Sequence, residues 1–285
     1  MKYYKLTIIT LILSLWTLLS CETFDTEVTI PSYLKVDSVK VQTNESVEGT
    51  YHQQISDVWV NINGTKIGTF EIPSRFPILQ EGSTPISIQA GIIKSGIHDF
   101  REIYPFFKTY RDTLYLQKGK SHFVTPIFQY KKETNFLLIE DFEDAGMRLY
   151  PIDTIDYSET IEDPDYTDNH IRKISLPDSV IGFQMITRIP IILKTKPIYM
   201  EIEYKCNETF GVGIKVQQAT GSYSFEDPFT IIKPQSNWNK MYLNIAEQMY
   251  LTTGNNYDIY LFFKSEKGKI STFYIDNIKI ITFDE

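Results

Sequence analysis

Apolar and polar residues alternate with a period of two along most of this chain. From Asp57 the order is Val58-Trp59-Val60-Asn61-Ile62, which sets Val58, Val60 and Ile62 on one face of a strand. Asn63-Gly64 follows, then a second run from Thr65 to Ile72. A type I′ turn needs positive φ at both central residues, and Asn-Gly suits it, so a hairpin is predicted. Pro73 and Pro77 interrupt the pattern, and Glu81-Gly82 marks another turn. Alternation resumes at Ile86-Ser87-Ile88, and Gly91 and Gly96 bracket a loop. Tyr110 to Leu116 and His122 to Tyr130 form a last pair around Lys118-Gly119-Lys120.

About seven short strands over residues 33–130 predict an immunoglobulin-like β-sandwich. Lys131, Lys132 and Glu133 mark a boundary. A second β-rich region, 134–285, opens with Phe136-Leu137-Leu138-Ile139-Glu140-Asp141-Phe142-Glu143. It continues through Tyr199 to Cys206, Trp238 to Leu243 and Tyr257 to Lys264, and closes with Phe273-Tyr274-Ile275-Asp276-Asn277-Ile278-Lys279-Ile280. Long helical periodicity is missing. The 19 Tyr and 18 Phe suit a pleated, half-buried surface. The fold class expected is all-β: two β-sandwich domains, the second a jelly roll.

The first twenty residues break the pattern. Lys2 and Lys5 precede an almost unbroken apolar run from Leu6 to Leu19. That run is too short to span a bilayer, which takes about 20 residues, and it fits a signal peptide. It ends Leu18-Leu19-Ser20-Cys21, which resembles the bacterial lipobox. The resemblance implies removal of residues 1–20 and a covalent lipid on Cys21, with residues 21–32 as linker. Glu22 to Glu27 resembles the acidic export signal of Bacteroidota lipoproteins. That implies an outer-membrane anchor facing the cell surface, with a periplasm-facing tether as the alternative.

Without residues 1–20 the chain keeps 26 basic and 36 acidic residues, a formal net charge of −10. Nucleic acid is excluded as a partner, because it demands basic patches. Of the two cysteines, acylation of Cys21 leaves Cys206 without a disulfide partner, so Cys206 is expected to be a buried thiol.

The "DFE" at 141–143, the Trp-led strand at 238 and the closing "FYIDNIKI" resemble the galactose-binding-like jelly roll of carbohydrate-binding modules. The resemblance covers about residues 134–285. It implies a structural calcium where acids of the first and last strands meet, here Glu140, Asp141, Glu143 and Asp276. The other reading of these acids is solvation, with Asp276 capping a turn. Four Asp-Ser/Thr-aliphatic triplets resemble the O-glycosylation acceptor of Bacteroidota, placing acceptors at Ser38, Thr113, Thr154 and Ser179.

No catalytic site is expected. Gly-x-Ser-x-Gly is missing, the four histidines are scattered, and Gly211-Val212-Gly213 has no phosphate-loop lysine. Residues 140–168 hold eleven acids against one Arg. Asp163 to Asp168 opens like a calcium loop, but the twelfth position is Ile174 where Glu is needed, so an exposed acidic loop is predicted. Trp59 and Trp238 are expected in the core. Tyr104, Phe106, Phe107 and Tyr110, and the pair Tyr223 and Phe225, suit either a core or a binding face.

Two functions fit. The first is a non-catalytic accessory or scaffold subunit of an outer-membrane complex, docking on a barrel protein and other lipoproteins during barrel assembly or nutrient import. The alternative is a surface glycan-binding lipoprotein that captures polysaccharide.

Overall fold

The computed structural model describes residues 29–192, 197–254 and 256–284. Cys21 and the apolar run before it lie outside the described residues. Residues 32–128 form ten strands: β1 (Ser32–Val36), β2 (Lys40–Val41), β3 (Asp57–Ile62), β4 (Thr65–Glu71), β5 (Ser74–Ile78), β6 (Gly82–Ile93), β7 (Arg101–Ile103), β8 (Tyr110–Leu116), β9 (Ser121–Phe123) and β10 (Ile127–Phe128). A single helical turn, α1 (Glu45–Glu48), leads into the 50–56 segment. One sheet runs β4-β3-β6, with β7 and β8 both on β6; the smaller ones are β5-β1-β9 and β2-β10.

The predicted hairpin forms. Asn63 and Gly64 take φ of 50° and 77°, and β3 pairs antiparallel with β4. Val58, Val60 and Ile62 all point into the core, against Leu34, Val36, Phe76, Ile88 and Ile92. Parity therefore puts Trp59 on the other face, which corrects the core expectation for it. Trp59 is half-buried; its Nε1–H donates to Asp57 Oδ1 at 2.8 Å, and Lys66 lies 4.4 Å from its ring.

From residue 134 the strands are β11 (Thr134–Glu140), β12 (Leu149–Pro151), β13 (Ser158–Glu162), β14 (His170–Leu176), β15 (Gly182–Thr187), β16 (Tyr199–Cys206), β17 (Phe210–Gln217), β18 (Tyr223–Phe225), β19 (Thr230–Ile232), β20 (Gln235–Asn244), β21 (Asn256–Lys264) and β22 (Ser271–Phe283). Helix α2 (Ile245–Leu251) follows β20. One six-stranded sheet runs β13-β14-β22-β16-β20, with β11 also on β22. The other runs β12-β15-β21-β17-β18, with β19 also on β17. Every strand pair of these two sheets is antiparallel. Between them lies an apolar core including Met200, Ile202, Phe210, Val212, Leu261, Phe263, Phe273 and Ile275. Burying each such side chain contributes roughly 1.5–3 kcal/mol. Gly213 sits beneath Tyr260, where a Cβ would come within 2.4 Å of the ring. Close packing against Tyr260 is thus what the Gly-Val-Gly run permits.

The stretch 140–168 is not one exposed loop. It contains β12 and β13, and Asp163 at its end is 5% exposed. Cys206 is buried, as expected, and burial pushes its thiol up to about 11.

Candidate functional site

The outer face of the β22-β16-β20 sheet carries polar side chains in rows, because alternate residues of each strand turn away from the core. On β16, Met200, Ile202, Tyr204 and Cys206 face inward, so Tyr199, Glu201, Glu203 and Lys205 face out. On β20, Met241 and Leu243 are the inward pair, which leaves Trp238, Lys240 and Tyr242 outside. On β22 a bulge opposite Ile202 adds one residue: Glu201 pairs with Lys279 but Glu203 pairs with Asp276. Asn277 takes up the bulge at φ 47°, a left-handed conformation that Asn tolerates better than most residues. The bulge is why Asp276 and Lys279, three apart, share a face.

The first region covers half of this face. Tyr104 and Tyr130 each donate a hydroxyl to Glu201 Oε1, at 2.5 and 2.8 Å. Tyr104 packs edge-on against Tyr199, and Phe106 lies against Tyr199 and Phe283. Lys279 donates to the Thr50 carbonyl at 2.9 Å, and His52 Nδ1 lies 2.9 Å from Glu203 Oε2. The core of the first region therefore continues into Tyr199, Tyr242 and Ile281 of the second. Tyr104, Phe106 and Phe107 are buried to within 6% of complete, which corrects the binding-face reading of that cluster. Its role is to seat one region on the other. Tyr110 is half-exposed and donates its hydroxyl to Asp112 at 3.0 Å.

The uncovered half is a pocket of about 210 Å³ at the seam. Its walls include Trp238, Asn239, Lys240, Glu203 and Asp276 from the sheet, and Asp163, Tyr166 and Asn169 from the 163–169 turn. His52, Gln53 and Gln54 close it from the first region. Trp238 is half-buried here, a correction to its expected place in the core. Its indole N–H has no acceptor among the described residues, and Lys205 lies 5.5 Å from its ring.

The electrostatics of the pocket are divided. Burial pushes Glu203 up, but Lys240 at 3.3 Å and the bonded His52 outweigh it and hold Glu203 down at about 2. Burial raises Asp276 to about 8; Glu203 and Asp141 add to the rise, against hydrogen bonds from Asn169 and the Asn277 backbone. Asn277 Nδ2 donates to both carboxyls, at 3.2 Å to Glu203 and 2.9 Å to Asp276. Next to them, burial lowers Lys279 to about 8, with Lys240 contributing. Glu201 is fully buried; burial pushes its carboxyl up, but Lys240 and Lys279 hold it below the ordinary carboxylate range.

The four acids expected around calcium are not brought together as ligands. Glu140 accepts from the backbone N–H groups of Phe142 and Arg148, Glu143 accepts from His170, and Asp276 faces the pocket. Asp141 accepts from the Glu143 backbone. Among the described residues, no group of three or more His, Cys, Asp or Glu is placed to hold a metal ion. Tyr223 and Phe225 stand apart on β18, 55% and 47% exposed, with Lys215 over both rings. Ser38, Thr113, Thr154 and Ser179 are all exposed.

No family model matches the sequence, and no curated protein matches it. Among solved structures, the CBM22-1 xylan-binding domain of Paenibacillus barcinonensis Xyn10C is 11% identical with a TM-score of 0.42, covering 54% of this chain and 99% of that one. A family 11 carbohydrate-binding module from Clostridium thermocellum, in complex with a mixed-linked tetrasaccharide, is 15% identical with a TM-score of 0.38, covering 52% and 94%. A longer match, described as a carbohydrate-binding module of the β-sandwich superfamily, is 11% identical with a TM-score of 0.38, covering 80% and 85%. Overlap at these TM-scores is too loose to carry an argument. The all-β assignment rests on the strands and sheets themselves.

Proposed function

We propose that this chain is a non-catalytic glycan-binding protein and that its ligand sits in the seam pocket. One observation carries the reading: Trp238 lines the pocket, as does Tyr166, together with amides and carboxyls. Sugar rings present flat apolar faces and a rim of hydroxyls. An indole offers the matching face, and Asn169, Asn239, Gln53 and Asp276 offer donors and acceptors to the rim. A protonated Asp276 also donates a hydrogen bond, which an ionised carboxylate cannot.

The test is calorimetric titration of the full chain, carrying Cys21→Ser for solubility, against a panel of neutral polysaccharides. Retention of at least one, weakened roughly tenfold or about 1.4 kcal/mol by Trp238→Ala without loss of fold, is the expected result. Indifference of every retained polysaccharide to Trp238→Ala defeats the reading.

We propose further that Cys21 is acylated and tethers the chain to the outer membrane, facing the cell surface. Cys21→Ser is then expected to move the protein from the membrane to the soluble fraction. The subunit reading has narrower support, since its densest aromatic cluster is buried. What favours it is the exposed ledge of Tyr223 and Phe225. Co-purification of a barrel protein in stoichiometric amount, lost in a Tyr223→Ser, Phe225→Ser double variant, would establish it.

A further inference from the structure

The seam pocket does not end at Lys240. A second cleft, of about 660 Å³, shares Gln54, Asn239 and Lys240 in its walls. One side of it comes from the second region, at Phe229, Ile231 and Gln235. The other comes from the first region, at Ser95, Ile97 and His98. The 94–98 segment is held in place. Ser95 N–H donates to the Tyr242 carbonyl at 2.8 Å, and Lys94 pairs with Glu247 at 2.8 Å. Gly96, at φ 72°, lies so close to Met241 that a Cβ would meet its Cε at 2.9 Å.

We propose that the two clefts are one groove, built jointly by both β regions, which holds the interior of a linear, uncharged glycan chain. The proposal rests on the glycan-binding reading. Size argues for the extension: the first pocket is smaller than the roughly 300–1,000 Å³ usual for a small-molecule site, and the second cleft brings the whole into that range. Openness at both ends argues for a chain interior. Tyr166 at one end is 56% exposed, and Ile97 and Ile231 at the other are 50% and 59% exposed. Charge argues for an uncharged ligand. Lys240 is taken up by Glu201 and Glu203, and Asp163 offsets the exposed Lys233 of the second cleft, so no basic excess waits for a polyanion. The anchored wall means that little ordering is left for the ligand to drive.

The experiment titrates the Cys21→Ser full chain with xylo- and β-gluco-oligosaccharides from disaccharide to hexasaccharide, with a polyuronate series as charged control. Affinity for a neutral series is expected to climb about tenfold or more with length and then level off. Trp238→Ala should weaken every length. Ile97→Asp, in the first region, should weaken the hexasaccharide at least about fivefold and the disaccharide by less than about twofold. Thermal unfolding of each variant confirms that it is folded. Trp238-dependent binding with no length dependence and a silent Ile97→Asp overturns the two-region groove and leaves the glycan reading standing. Binding of polyuronates alone overturns the uncharged-chain assignment. Failure of every oligosaccharide and polysaccharide to bind sinks both.

Discussion

Asp276 and Glu203 face each other across β22 and β16 yet titrate far apart, at about 8 and about 2. For Asp276 the folded value lies above its ordinary 3.8, so the folded state holds a proton that the unfolded chain has released. Its contribution is complete below about 4 and is lost as pH rises through about 8, at up to about 1.4 kcal/mol per pH unit. Asp276→Asn removes that dependence. The variant is expected to gain Tm relative to the parent at pH 8 and not at pH 4; equal shifts at both would refute the titration. Glu203 has the opposite sign: its contribution is present above its ordinary 4.5 and is lost as pH falls toward 2. Parity along β20 places Trp238 on the outer face, as parity along β3 places Trp59. Met241 and Leu243 turn inward, and the charged Lys240 shares the face of Trp238. Strand alternation around Trp238 suggests burial, but the polar neighbours Asn237 and Asn239 and the inward turn of Met241 and Leu243 set it on the outer face.

Among the elements, Asn63-Gly64 was readable because one dipeptide satisfies both turn positions locally. The bulge at Asn277 was not, since it is defined by the pairing of β22 with β16, more than seventy residues away in sequence. The same holds for the edge strands β12, only three residues long, and β13, largely polar, which pair with β15 and β14. Two glycine variants separate local from tertiary cause. Gly64→Ala meets no neighbour and should cost about 1 kcal/mol, through its positive φ alone. Gly213→Ala must displace the Tyr260 ring, which donates to the Glu226 carbonyl, and should cost about 1–3 kcal/mol in chemical denaturation. Equal costs would show that Tyr260 yields freely.

Across the whole molecule, composition suggests a boundary at residues 131–133 but gives no sign of the seam. It is written in pairs such as Tyr104 with Glu201 and Lys279 with Thr50, far apart in sequence. Glu201 is its buried polar centre, bonded to Tyr104, Tyr130 and Lys240. Glu201→Ala leaves Lys240 and Lys279 crowded with less counter-charge, and should cost about 3–5 kcal/mol. Because a continuous apolar core crosses the seam, the parent is expected to unfold in one calorimetric transition. Two separated transitions would show that the regions come apart first.

Strand β6 runs from Gly82, two residues after Gln80, whose carbonyl accepts from Ser32, to Ile93, one residue before the bridge from Lys94 to Tyr242. Its twelve residues span roughly 36 Å at about 3.3 Å each. It is thus a boom, with the groove at its tip and the start of the described chain at its base. With the proposed tether at Cys21, the proposed groove stands at the far end of β6 from the start of the described chain. Several copies so tethered would bind one polymer at points along its length, and weak individual grips would add up to avidity.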